Sequence, residues 1–145
     1  MNRLVAAALA AAGVSAGLAT SGDSSFASPV GLWLAKDGAK IRIASCGHNL
    51  CGFIAQSSPM IDPETGRPLT DKNNIDPAKR NRPMVGVQTL ISMRHVGPAK
   101  WTGQLYNDDD GKTYDGNLIE QGPSSIRIEG CWLGICGGDD LTRIK

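Results

Sequence analysis

Alternation with a period of two is the feature that most limits what this chain can become. In residues 40–44, Ile41 and Ile43 face one way while Lys40 and Arg42 face the other. Residues 125–129 repeat the arrangement, with Ile126 and Ile128 set against Arg127 and Glu129. Side chains separate in this way on a strand with one face buried. Six more segments read as strands. Residues 29–35 carry Trp33, and 50–56 form a third strand. Residues 83–92 align Val85, Val87, Thr89 and Ile91, and 100–106 bring Trp101 and Leu105 together. Residues 112–120 pair Tyr114 with Leu118, and 141–145 form a short last strand. Asp37-Gly38 and Asp110-Gly111 mark tight hairpin turns, the second a type I′ turn, because Gly takes positive φ without steric cost. No helical period persists beyond a turn or two, and 18 glycines with 8 prolines punctuate the chain as short strands require. The expectation is an all-β fold, a small antiparallel up-and-down barrel of eight strands, since closure removes the sheet edges that would otherwise need protection.

The first residues follow a different logic. Met1-Asn2-Arg3 is a short positive start, residues 4–18 are uncharged and rich in Ala and Leu, and Ser25-Phe26-Ala27 offers small residues at a cleavage site. This is the pattern of a secretory signal peptide, with cleavage expected after Ala27. The apolar run is short of the roughly 20 residues a membrane span needs. The expected product is a single domain, residues 28–145, periplasmic or secreted and without a membrane span. The charge balance of 15 Lys+Arg against 14 Asp+Glu argues against a nucleic-acid partner.

All four cysteines fall in that domain, as Cys46-x4-Cys51 and Cys131-x4-Cys136. Four cysteines allow three connectivities. An exported chain meets an oxidising compartment, which makes disulfides the default. The local pairs Cys46–Cys51 and Cys131–Cys136 are the expected ones, each stapling one turn. A zinc site built from the four thiolates, with His48 as a substitute ligand, is the competing reading. Its spacing lies at the edge of the zinc range, and thiolates in such a compartment are lost to disulfides. No metal and no cofactor is therefore expected.

Residues 57–82 break the strand pattern. They are rich in Pro, Asp, Asn and Arg, and Asp76-Pro77 has the form of a helical-turn start with Asp76 as cap. A loop of this length is either a functional lid at a barrel mouth or a solvated excursion held by local hydrogen bonds. Its densest polar group is Asp71, Asn73, Asn74, Arg80 and Arg82. Arg80 or Arg82 could fork onto a ligand carboxylate or phosphate. Alternatively, the Asx side chains cap turns and the arginines brace the loop.

Several phrases in order carry a family resemblance. They are Gly31-Leu32-Trp33, Cys46-Gly47, Cys51-Gly52, Gly66-Arg67-Pro68, Asp71-Lys72-Asn73-Asn74 and Arg80-Asn81-Arg82-Pro83. Trp101-Thr102-Gly103, Tyr106-Asn107, Asp110-Gly111-Lys112-Thr113-Tyr114, Gly130-Cys131 and Thr142-Arg143 complete the set. Together they resemble the bacterial exported family called domain of unknown function 2147, over nearly all of residues 28–145. The resemblance implies a lipocalin-like small barrel and leaves the biochemical role open. The family's closing phrase carries Trp before Thr-Arg; here that position is Leu141, so the resemblance does not extend to a contact made by that ring. Gly31-x-Trp33 also matches the opening of lipocalins, in which the Trp plugs the closed end and an Arg of the last strand packs across it. By position, Trp33 and Arg143 would form that pair.

No catalytic constellation is legible. The chain has only His48 and His95, and it lacks a nucleophile elbow, an H-E-x-x-H motif and a P-loop. Counting back from Gly111 to test for a calcium loop puts Tyr106 at position one and Asn117 at twelve, so that pattern fails. The expected role is that of a non-enzymatic binding module holding a small apolar or amphipathic ligand in the barrel. Candidate contacts are Asn74, Arg80, Arg82, Trp101 and Tyr114, although aromatics sharing a strand face with aliphatics are more often core. The alternative is an envelope protein-interaction or structural module with a filled barrel, acting through residues 57–82.

Overall fold

The structure is a computed structural model; it describes residues 28–145, together with Gly13, Ser15 and Gly17. The expected signal peptide, apart from those three residues, and its expected cleavage after Ala27 lie outside the described residues. Eight strands form the barrel in chain order: β1 (Gly31–Leu34), β2 (Lys40–Cys46), β3 (Asn49–Gln56), β4 (Gln88–Gly97), β5 (Lys100–Asn107), β6 (Lys112–Gly122), β7 (Ser125–Trp132) and β8 (Ile135–Arg143). Each pairs antiparallel with its neighbour, and β1 closes on β8 through Trp33↔Arg143 and Leu34↔Thr142. The expected all-β, up-and-down, eight-stranded barrel is the fold. Turns after β1, β3, β5 and β7 therefore gather at one end, and those after β2, β4 and β6 at the other.

Alternation builds the interior. Trp33, Ile43, Leu90, Met93, Leu118 and Ile126 are fully buried and pack with Leu50, Ile128 and Leu141 as the barrel core. A second cluster of Ile54, Met84, Val87 and Tyr106 lies between the barrel and the long connection from β3 to β4.

Two strands differ from expectation. The fourth begins at Gln88 rather than at residue 83, because Met84 and Val87 pack under the long connection and Gly86 takes a φ of 96°. The last begins at Ile135 and ends at Arg143. Its Cys136-Gly137-Gly138-Asp139-Asp140 run has no apolar alternation, and it is extended because it pairs with β7 residue by residue. The turns also differ. Asp37-Gly38 ends a three-residue loop, with Ala35 N–H bonded to Ala39 O and Gly38 N–H to Ala35 O. Asp110-Gly111 closes a four-residue loop instead of a type I′ turn, with Gly111 N–H donating to Asn107 O at 2.8 Å. Four connections are two-residue turns: Gly47-His48, with positive φ only at Gly47, Pro98-Ala99, Pro123-Ser124, and Leu133-Gly134, with φ of 51° and 79° as type I′ demands. Pro77–Lys79 forms one 3₁₀ turn, and the Asp76 carboxylate accepts the Ala78 N–H at 3.0 Å, as the Asp-Pro start implied.

Candidate functional site

One end of the barrel is closed. Trp33 is fully buried and donates its indole N–H to the Pro29 carbonyl at 2.8 Å. The Arg143 guanidinium carbon lies 4.3 Å from the Trp33 ring centre. Its three nitrogens donate to the carbonyls of Pro123, Val30 and Ser28 at 2.9, 3.0 and 2.7 Å. The fork thus ties the β6–β7 turn and the chain entering β1 across the indole face. Glu120 is buried, and burial raises its carboxyl above the ordinary value, offset in part by the charges of Arg143 and His95.

The opposite end holds a cavity of about 300 Å³, at the lower limit of small-ligand pockets. Ile41, Ile54, Leu105, Ile128 and Leu141 form its apolar wall. Asp37, Asp108, Asp109 and Asp139 line it with carboxylates, and Ser57, Ser58 and Met84 enter from the long connection. Gly137 leaves its wall open: its backbone φ is not in the left-handed region, and a Cβ there would meet nothing within 4 Å. The Asp108 carboxyl is held above its ordinary value, first by burial and then by the Asp109 charge, with Asp71 and Asp37 adding to the effect.

The long connection is anchored at its centre. Asp71 is fully buried, and its carboxylate accepts the Tyr106 hydroxyl at 2.5 Å, the Asn74 amide at 2.9 Å and Arg82 Nε at 2.9 Å. Arg82 Nη2 adds a 2.8 Å ion pair. Burial, followed by the Asp71 hydrogen bond, pushes the Tyr106 hydroxyl above its ordinary value. Arg80 Nε donates to the Asn74 carbonyl at 2.7 Å. The loop also docks on the β5–β6 turn, where the Asn73 amide donates to Asp108 O at 3.2 Å. A Cβ at Gly111 would collide with the Asn73 carbonyl, so glycine is needed there for contact as well as for its φ of 71°.

The sequence-derived ligand candidates are therefore dispersed. Asn74 and Arg82 line a separate outer groove of about 380 Å³, and Arg80 braces the loop. Trp101 packs on the barrel core and stacks on His95, with ring centres 4.7 Å apart. The Tyr114 hydroxyl donates to the Asp110 carboxylate, and its ring lines a third groove beside Trp132. None of the five lines the barrel cavity. Of the residues that do line it, Asp37 and Asp108 carry no sequence signal beyond acidic turns next to strands, and Asp139 lies within β8, in a run without apolar alternation.

Cys46–Cys51 and Cys131–Cys136 are disulfide-bonded across the β2–β3 and β7–β8 turns. The two pairs sit at opposite ends of the barrel, which separates the four sulfurs that a shared zinc site would need. Glu129 approaches Cys131 and Cys136, but sulfurs bonded to each other offer no thiolate.

No curated protein matches the chain. Among solved structures, protein HP1028 of the human pathogen Helicobacter pylori, described as belonging to the lipocalin family, superposes with a TM-score of 0.66 at 19% identity. The match covers 80% of this chain and 82% of that one. At this identity the likeness concerns the fold alone, a lipocalin-like barrel. Residues 31–143 match the model of DUF2147, uncharacterized proteins conserved in bacteria, and the chain belongs to that family.

Proposed function

We propose that this chain is an exported, non-enzymatic binding protein that holds one small apolar or amphipathic ligand in the open end of its barrel. The observation that carries the reading is the cavity of about 300 Å³ with its apolar wall of Ile41, Ile54, Leu105, Ile128 and Leu141. Burying alkyl surface against such a wall supplies roughly 0.8 kcal/mol per CH₂ group. Two disulfides and the N-terminal charge-apolar-small pattern support the export element of the proposal.

Saturable uptake of 1-octanol, followed by displacement of an environment-sensitive naphthalene dye, tests the reading. Gly137→Leu should fill the cavity without straining the backbone and should weaken octanol binding at least tenfold while leaving the unfolding midpoint within error. Unsaturable octanol uptake, or uptake unaffected by the plug, would contradict the proposal.

A second reading has its own observation. Met60, Ile61 and Ile75 expose half or more of their surface on the long connection, a feature suited to an envelope protein partner. Deleting this connection while retaining a named partner's capture would sink that reading.

A further inference from the structure

The charge around the cavity is not needed by its apolar wall. Asp37, Asp108, Asp109 and Asp139 line it, and no Lys, Arg or His does among the described residues. The ion pairs of the described residues engage Asp62, Glu64, Asp71, Glu129 and Asp140, and none of these four. Turn geometry accounts for Asp37, whose carboxylate accepts the Ala39 N–H at 2.9 Å. Asp139 is mid-strand, opposite Ile128, where no turn requires an acid.

Resting on the reading of the cavity as a ligand site, we propose that its ligand is a cationic amphiphile: an apolar chain seated on the Ile41–Leu105–Ile128 wall and ending in an ammonium group at the rim lined by Asp37, Asp108, Asp109 and Asp139. The crowding that holds the Asp108 carboxyl above its ordinary value is what a bound ammonium would relieve. Fatty-acid-type anions are disfavoured by the same charges.

The test compares three ligands with the same chain on the purified protein: octyltrimethylammonium, 1-octanol and octanoate, each titrated by dye displacement. The expected order is ammonium, then alcohol, then carboxylate. The ammonium should lead the alcohol by about tenfold, the size of a few partly exposed charge contacts, and the ratio should fall as salt is added. Asp108→Asn with Asp139→Asn should bring the ratio of ammonium to alcohol affinity near one. Octanoate binding as tightly as the ammonium, or a preference indifferent to the double variant, would overturn the charge assignment while the cavity reading stands. Failure of all three ligands to bind would overturn both.

Discussion

Asp71→Ala should loosen the long connection before it unfolds the barrel. The carboxylate is fully buried and accepts from Tyr106, Asn74 and Arg82 at 2.5–2.9 Å. Its removal strands the Tyr106 hydroxyl and the Asn74 amide, each at about 1–3 kcal/mol if left unsatisfied. Arg82 is 40% exposed and returns to water, so its share is small. The terms belong to one network and do not add, which gives a loss of about 3 kcal/mol. Asp71→Asn keeps the shape and one acceptor oxygen, and should cost about half as much. Urea unfolding followed by circular dichroism reads the total. Limited proteolysis reads where it falls: cleavage should appear first within residues 57–87. An Asp71→Ala protein with an unchanged urea midpoint and no new cleavage there would refute the account of the loop as anchored by this carboxylate.

Three other outcomes follow from the same structure. Arg143→Ala removes three hydrogen bonds to carbonyls and the stack on Trp33, and should cost about 2 kcal/mol in urea unfolding, with Trp33 fluorescence shifting to the red. Reducing either disulfide in turn should cost about 2 kcal/mol, the chain-entropy value for so short a loop; Cys131→Ser with Cys136→Ser, compared with the parent by thermal unfolding, measures it for β7–β8. Glu120 is held above its ordinary value of 4.5 in the folded state, so ionising it opposes folding at neutral pH, and stability recovers as pH falls through the raised value toward 4.5. Glu120→Gln should therefore raise the unfolding midpoint at pH 7, with the gain shrinking below that window in a pH series.

The barrel was legible because its core is written in local alternation. Ile41 and Ile43, or Ile126 and Ile128, declare their face without reference to any partner. The first half of β8 was not legible, since Gly137, Gly138 and Asp139 are extended only by their pairing with β7. Residues 83–87 misread as strand for the opposite reason: the apolar residues there do not share one face, since Met84 and Val87 pack beneath the loop while Val85 is exposed. The site was harder still. Asp71 and Tyr106 stand 35 positions apart, and no spacing announces their hydrogen bond. The rim aspartates come from β1–β2, β5–β6 and β8, and only closure of the barrel assembles them. Trp33 and Arg143 meet because β1 and β8 close the sheet, a contact that only the family resemblance brought forward.

The central claim is that the open end of the barrel receives a ligand. The most direct measurement is a titration of isotope-labelled protein with 1-octanol, followed residue by residue through backbone amide shifts. Saturable shifts should cluster at Ile41, Leu105, Asp108, Ile128, Gly137 and Asp139, with Trp33, Glu120 and Arg143 unmoved. Shifts that never saturate, or that centre on the closed end or on Asn74 and Arg82, would contradict it.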